Sequence, residues 1–225
     1  MPILTHRGFT YDVDTNKSTA LLIEANTNDS KIEIPPVVKG YCVTGIGSTV
    51  FKDNRHIKTV LLPDTLTLIS TGAFLNSSIK NFKIYSSGKS SPYKEEALVI
   101  KASAFRDCSD LNYVEIKKPI ILSQSSIFEN CCKLEYFPSE FIQDRIPRYA
   151  FRNCHHLHSF TVKKPIDIER LAFMDAKIDV FYDFGYIHSF DIDFLEAVKN
   201  AQIHCYDIST LAELVYDGYN IVLMR

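Results

Sequence analysis

The sequence predicts a solenoid: stacked rungs of about 23 residues, mostly parallel β-structure joined by short helical turns. Three observations carry this. Phe51, Phe74, Phe105, Phe128, Phe151 and Phe173 lie 23, 31, 23, 23 and 22 residues apart, and the 31 is 23 plus an eight-residue insertion. Other positions keep step with the Phe: Val50, Ala73, Ala104, Ile127, Ala150 and Ala172 precede it, and Ile46, Ile69, Ile100, Ile146 and Ile168 stand five before it. Each unit then closes in a period-2 tail, as in Tyr113-Val114-Glu115-Ile116 and Ser159-Phe160-Thr161-Val162, which reads as a short half-buried strand. A unit of this size cannot bury its own apolar face, so copies must stack.

The elements follow in chain order. Gly8–Asp14 and Thr19–Glu24, separated by the turn-rich Thr15-Asn16-Lys17-Ser18, read as a hairpin, so residues 1–30 are expected to cap the N-terminal end. Lys31-Ile32-Glu33-Ile34-Pro35-Pro36 repeats the strand tail and makes an incomplete opening rung. Gly45-Ile46-Gly47-Ser48 reads as a turn, lacking the Gly-Lys that would make it a phosphate loop. The array proper is expected over 31–182, six full repeats, with loop composition marking the insertion at 86–98. Residues 183–225 form a degenerate last repeat and a C-terminal cap: Asn200–Tyr206 echoes Asp175–Phe181, Ser209–Tyr216 reads as a short helix and Ile221–Met224 as a last strand. The whole is one continuous domain.

Composition narrows the function classes. Apolar residues are 46% and charged residues 23%, which fits a folded chain and not a disordered one. A net charge of -2 gives no general pull toward nucleic acid or membrane. The N-terminus lacks the apolar run of a secretory signal and no stretch is long enough to span a bilayer, so a cytoplasmic chain is expected.

The unit Ile-x3-Ala-Phe-x2-Cys-x2-Leu-x2-Val-x-Ile-Pro resembles the BspA-like leucine-rich repeats over residues 30–182. Gly8-x2-Tyr11, Thr19-Ala20, Ile34-Pro35 and Val43-Thr44-x-Ile46-Gly47 also look like the opening region of that family. The resemblance implies a leucine-rich repeat solenoid that binds a macromolecule without catalysis: adhesion to host or matrix proteins in surface members, scaffolding in others. The expectation for this chain is a protein-interaction or scaffold module, with a surface adhesin for host or matrix protein or glycan as the alternative. Self-association through an end rung is compatible with either.

No nucleophile elbow, phosphate loop, paired acids or dinucleotide fingerprint is found, so no catalytic residue and no cofactor are assigned. Cys108, Cys131 and Cys154 fall at one repeat position, where Asn54 and Ala176 also occur. A slot for a small residue explains them, with a disulfide or metal as the alternatives. Cys154-His155-His156-Leu157-His158 matches no common zinc spacing, so no metal is assigned. The candidate partner-binding surface is the strand face expected to be concave. By alternation Thr59, Leu61, Asn81, Lys83, Tyr113, Glu115, Lys117, Tyr136, Ser159, Thr161 and Lys163 point outward there. Its expected centre is Tyr113, Glu115, Lys117, Tyr136, Ser159, Thr161 and Lys163, because Tyr and cations are favoured at binding centres. The pairs Lys117-Lys118 and Lys163-Lys164 are expected at a solvated edge, with Glu140 between them. The 86–98 insertion is a second candidate surface.

Overall fold

The computed structural model describes residues 2–88, 92–137, 143–162, 166–183, 187–189, 192–205 and 220–223. A long ladder of parallel strands stacks Lys31–Glu33, Thr59–Pro63, Asn81–Tyr85 and Tyr113–Glu115. Single parallel bridges from Tyr113 to Tyr136 and from Tyr136 to Ser159 carry it onward. Ser159–Val162, Val180–Asp183, Gln202–Cys205 and Asn220–Leu223 continue the stack. Repetition sets the register: Val60, Phe82 and Val114 stand opposite one another and all point into the core. A slip of one residue would turn this whole row outward.

The sequence led us to expect one strand per rung, and the structure has a second. Tyr41–Ile46, Leu68–Ile69, Leu98–Ile100 and Ile120–Leu122 form a companion ladder just ahead of each Phe. Arg145–Ile146, Ile166–Ile168 and Ile187–Ser189 form a further parallel set. Between these two sets the main-chain pairing is replaced by a side chain. The amide of Gln143 accepts from the Leu122 N–H at 2.7 Å and donates to the Leu122 carbonyl at 3.4 Å. Apart from Tyr41–Ile46 the strands of these sets have only two or three residues, too short to show an alternation in the sequence.

The Phe lies in a pair of tight turns, not a continuous helix. The residue two before it has positive φ in all six rungs: Thr49, Gly72, Ser103, Ser126, Tyr149 and Leu171. So does the residue two after it: Asp53, Asn76, Asp107, Asn130, Asn153 and Asp175. A left-handed residue on either side stops helix propagation. It also turns the Phe amide toward the next rung, where it donates to the carbonyl before the next Phe, as in Phe74 to Ala104 at 2.8 Å and Phe128 to Ala150 at 2.8 Å. Asp or Asn occupies every second left-handed position, and its side chain bonds along the stack. Asn76 donates to Asp53 at 2.6 Å, Asn130 to Asp107 at 2.5 Å and Asn153 to Asn130 at 2.6 Å. These residues tolerate the left-handed conformation because their short polar side chains bond locally.

The core is built on two aromatic ladders. The rings of Phe51, Phe74, Phe105, Phe128, Phe151 and Phe173 stack with centroids 5.0–5.6 Å apart and planes within 15° of parallel. Phe82, Phe137 and Phe160 from the strand side meet them edge-on. Offset stacks and edge contacts are the favoured aromatic geometries, each worth about 0.5–1.5 kcal/mol beyond area burial.

At the N-terminal end Phe9–Asp14 and Thr19–Ala25 pair antiparallel, and an unanticipated strand, Ile3–His6, pairs with the first of them. Thr19–Ala25 then runs parallel to Tyr41–Ile46 at the edge of the companion ladder. The turn expected over Gly45–Ser48 begins only at Ser48, because Gly45 and Ile46 lie inside the strand Tyr41–Ile46. A Cβ at Gly45 would sit 2.7 Å from Leu21 Cδ1, so the glycine makes room for the neighbouring leucine and not for a turn. Toward the C-terminus a helix spans Ile192–Val198 and buries Ala197 and Val198. The helix expected at 209–216 lies outside the described residues; the last strand occupies Asn220–Leu223.

Candidate functional site

The long ladder aligns the outward residues into rows. Thr59, Asn81, Tyr113, Tyr136 and Ser159 share one row, and Leu61, Lys83 and Glu115 share the next. Adjacent rungs are about 4.8 Å apart, so Tyr113 and Tyr136 are side-by-side neighbours. Both are half exposed, at 46% and 49%, while Phe137 beside Tyr136 is buried. Alternation therefore places the tyrosines as the sequence suggests. Ser159 and Thr161 are partly buried on the following rung. Lys163, with Lys164 and Glu140, lies outside the described residues.

Glu115 organises this surface. Its carboxylate takes Lys83 Nζ at 2.9 Å, Lys117 Nζ at 3.1 Å and the Tyr113 hydroxyl at 3.1 Å. The hydrogen bonds from Lys83 and then Lys117 hold its pKa down to about 2, against 4.5 ordinarily. The folded pKa lies below the unfolded one, so the stability that this network contributes is complete above about pH 4.5 and is lost as pH falls toward about 2. A carbon-13 titration of side-chain carboxyls is expected to place the Glu115 midpoint near pH 2. A midpoint near 4.5 would mean that the network does not persist in solution.

The solvated edge expected for Lys117-Lys118 is half wrong. Lys117 is exposed, but Lys118 is buried, with 4% of its surface accessible. Its ammonium donates to the carbonyls of Asp64 at 2.9 Å, Leu66 at 2.7 Å and Tyr93 at 3.2 Å. The cause is the insertion, which folds back over this position. Ser87 donates from its amide at 3.1 Å and its hydroxyl at 2.6 Å to Asp64 Oδ1. Lys94 approaches the other oxygen of Asp64 at 3.8 Å. Burial lowers the Lys118 pKa, opposed by the charges of Asp64, Glu96 and Glu95. The described part of the insertion is thus docked on the array by a lysine that sequence alone would leave in water.

Cys108, Cys131 and Cys154 are buried free thiols. Each donates to a main-chain carbonyl of an earlier rung: Phe74 at 3.0 Å, Phe105 at 3.1 Å and Phe128 at 3.3 Å. Burial raises all three thiol pKa values, that of Cys108 to about 11. The slot therefore takes a small side chain, which donates where it can, and Ser77 in the preceding rung meets the Cys108 sulfur at 3.4 Å. His155 and His156 are exposed, with Nδ1 on the carbonyls of Asp175 at 2.8 Å and Cys132 at 2.7 Å. Among the described residues no group of three or more side chains is placed to hold a metal ion. No helix among them is long and apolar enough to cross a membrane.

This geometry defines a class: a parallel β-solenoid that presents a ladder of outward-facing strand residues and a docked loop. Comparison with known proteins agrees. The sequence matches the BspA type leucine rich repeat region in six copies, over residues 25–94 and 89–191, and the chain belongs to that family. Among solved structures it is similar to a leucine rich cell surface protein of Faecalibacterium prausnitzii A2-165, with TM-score 0.68 and 23% identity. That match covers 91% of this chain and 55% of the other, so the chain spans little more than half its length. It is also similar to the T. pallidum leucine rich repeat protein TpLRR, with TM-score 0.53, 13% identity and 97% of each chain covered. At these identities the likeness shows the fold. No curated protein matches the chain.

Proposed function

We propose that the chain is a non-enzymatic protein-interaction or scaffold module whose partner docks on the long strand face, centred on Tyr113 and Tyr136. The observation that supports this most is the pair of half-exposed tyrosines on neighbouring rungs, beside a Glu115 already held by Lys83 and Lys117. Rigid aromatic rings with little side-chain entropy to lose are good anchors. The Glu115 carboxylate is paired with two lysines, so a partner covering it would not bury an unpaired anion. Ser159 and Thr161 extend the contact surface toward the C-terminus, Lys163 is proposed as a further contact on sequence alternation alone, and the proposed setting is the cytoplasm. The surface-adhesin reading is favoured by one fact only, that a similar fold occurs in a cell surface protein.

Affinity capture from lysate of the source cell, with the intact chain beside a folded Tyr113→Ala, Tyr136→Ala variant, tests the site. The expected result is a stoichiometric protein retained by the first and lost by the second. Equal retention by both would move the contact elsewhere, with the insertion next to be tested. No retained protein, together with recovery of the chain at the cell surface, would favour the adhesin.

A further inference from the structure

A depression of about 460 Å³ lies beside the N-terminal hairpin, away from the tyrosine pair. That volume is within the range of small-molecule sites, roughly 300–1,000 Å³. Its wall combines two kinds of group. Phe9, Pro35, Pro36 and the Tyr85 ring supply flat apolar surface. Arg7, His6 and Glu33 supply polar heads. The Tyr85 hydroxyl is fixed by donating to the Ile34 carbonyl at 3.0 Å, so the ring is held in place. No ion pair joins Arg7 to Glu33, and no side-chain hydrogen bond engages either of them among the described residues, although both line the same hollow.

The backbone adds an independent observation. His6 and Phe9 pair across a two-residue turn in which Arg7 and Gly8 have φ of 50° and 79°. Gly8 is needed: a Cβ there would come 2.8 Å from the Asn26 carbonyl oxygen. Arg7 is not needed by the turn, since Asn or Gly suits that position far better. A bulky residue held left-handed costs on the order of 1–2 kcal/mol. The turn thereby fixes the backbone from which the Arg7 side chain reaches the hollow.

We infer that this hollow binds a neutral saccharide, one pyranose ring lying on the Phe9 and Tyr85 side and bridging Arg7 to Glu33. Opposite charges in so small a space decide against a ligand of either net charge, which would meet one partner and one repulsion. A pyranose has an apolar C–H face for the rings and prolines. Its hydroxyls both donate and accept, so one can accept from the Arg7 guanidinium while the next donates to the Glu33 carboxylate. The site does not depend on the proposed tyrosine surface.

Saturation-transfer NMR on the full chain, with the methyl pyranosides of glucose, galactose, mannose and N-acetylglucosamine as probes at millimolar concentration, tests it. At least one sugar is expected to receive transfer. Glu33→Gln and Arg7→Gly should each weaken binding by about tenfold or more, the loss of one charge-assisted bond. Arg7→Gly also relieves the backbone, so a folding defect would not explain the loss. The Tyr113→Ala, Tyr136→Ala variant should bind as the parent does. The inference is overturned if no sugar receives transfer, or if transfer survives both substitutions. It is equally overturned if a zwitterionic dipeptide, glycyl-glutamate or glycyl-lysine, binds with this residue dependence while no sugar does.

Discussion

Replacing Phe105 with alanine is expected to destabilise the chain by about 3–5 kcal/mol, the range for deleting a fully buried Phe from a packed core. Phe105 stacks on Phe74 at 5.0 Å and on Phe128 at 5.1 Å, and meets Phe82 edge-on at 4.9 Å. The cavity would open between rungs that touch only their neighbours, and the stability of such an array is roughly a sum of rung and interface contributions. Urea unfolding followed by circular dichroism should therefore show an earlier midpoint. The single transition should also broaden or split as the rungs on either side of the gap uncouple. Phe51→Ala provides the comparison. Among the described residues Phe51 stacks on Phe74 alone, so its loss should cost clearly less. If the two variants lose the same stability, the ladder is not a cooperative unit.

Lys118→Met should cost about 2–4 kcal/mol, because three main-chain carbonyls lose their charged donor while the chain length of the side chain is kept. For a chain of this size that corresponds to a fall in Tm of roughly 5–15 °C. Tyr93 would lose its tether to the array, so protease should cut the insertion near Lys94 sooner than in the parent. Lys117→Met is the control one residue away, where an exposed side chain predicts a change within about 0.5 kcal/mol. Similar Tm values for the two variants would show that Lys118 is not the anchor of the insertion.

The repeat was legible because its strongest signal is a large side chain at a fixed interval. Phe51 through Phe173 occupy one slot, and the Ala or small apolar residue before each marks where the chain turns tightly. The outward face followed from simple alternation, which put Tyr113 and Tyr136 on one surface. Other features carry weaker signals. The left-handed residues two before the Phe share no side-chain chemistry, from Thr49 and Gly72 to Tyr149 and Leu171, because what they share is a backbone angle. Those two after it did carry a readable mark, Asp or Asn in every rung. Lys118 could not be placed from its neighbours. Its burial depends on an insertion more than twenty residues earlier folding over it, and Lys117 beside it remains in water. The sugar-sized hollow joins Arg7, Glu33 and Tyr85 from three separate segments, which no linear spacing reveals.

Among the described residues, the rung between Glu115 and Ser159 is where the pairing of the two ladders is sparsest. The long ladder passes through Tyr136 alone, and the companion ladder passes through the side chain of Gln143. The Phe stack has its widest step at the same level, 5.6 Å between Phe128 and Phe151. A coil spring bends at its softest turn, and here that turn carries half of the tyrosine pair. Flexing of the array would change the spread of Tyr113, Tyr136 and Ser159 before it disturbed any other row. A partner seated as proposed across Tyr113 and Tyr136 would brace that rung, and bending of the array there would change the spacing its contacts need.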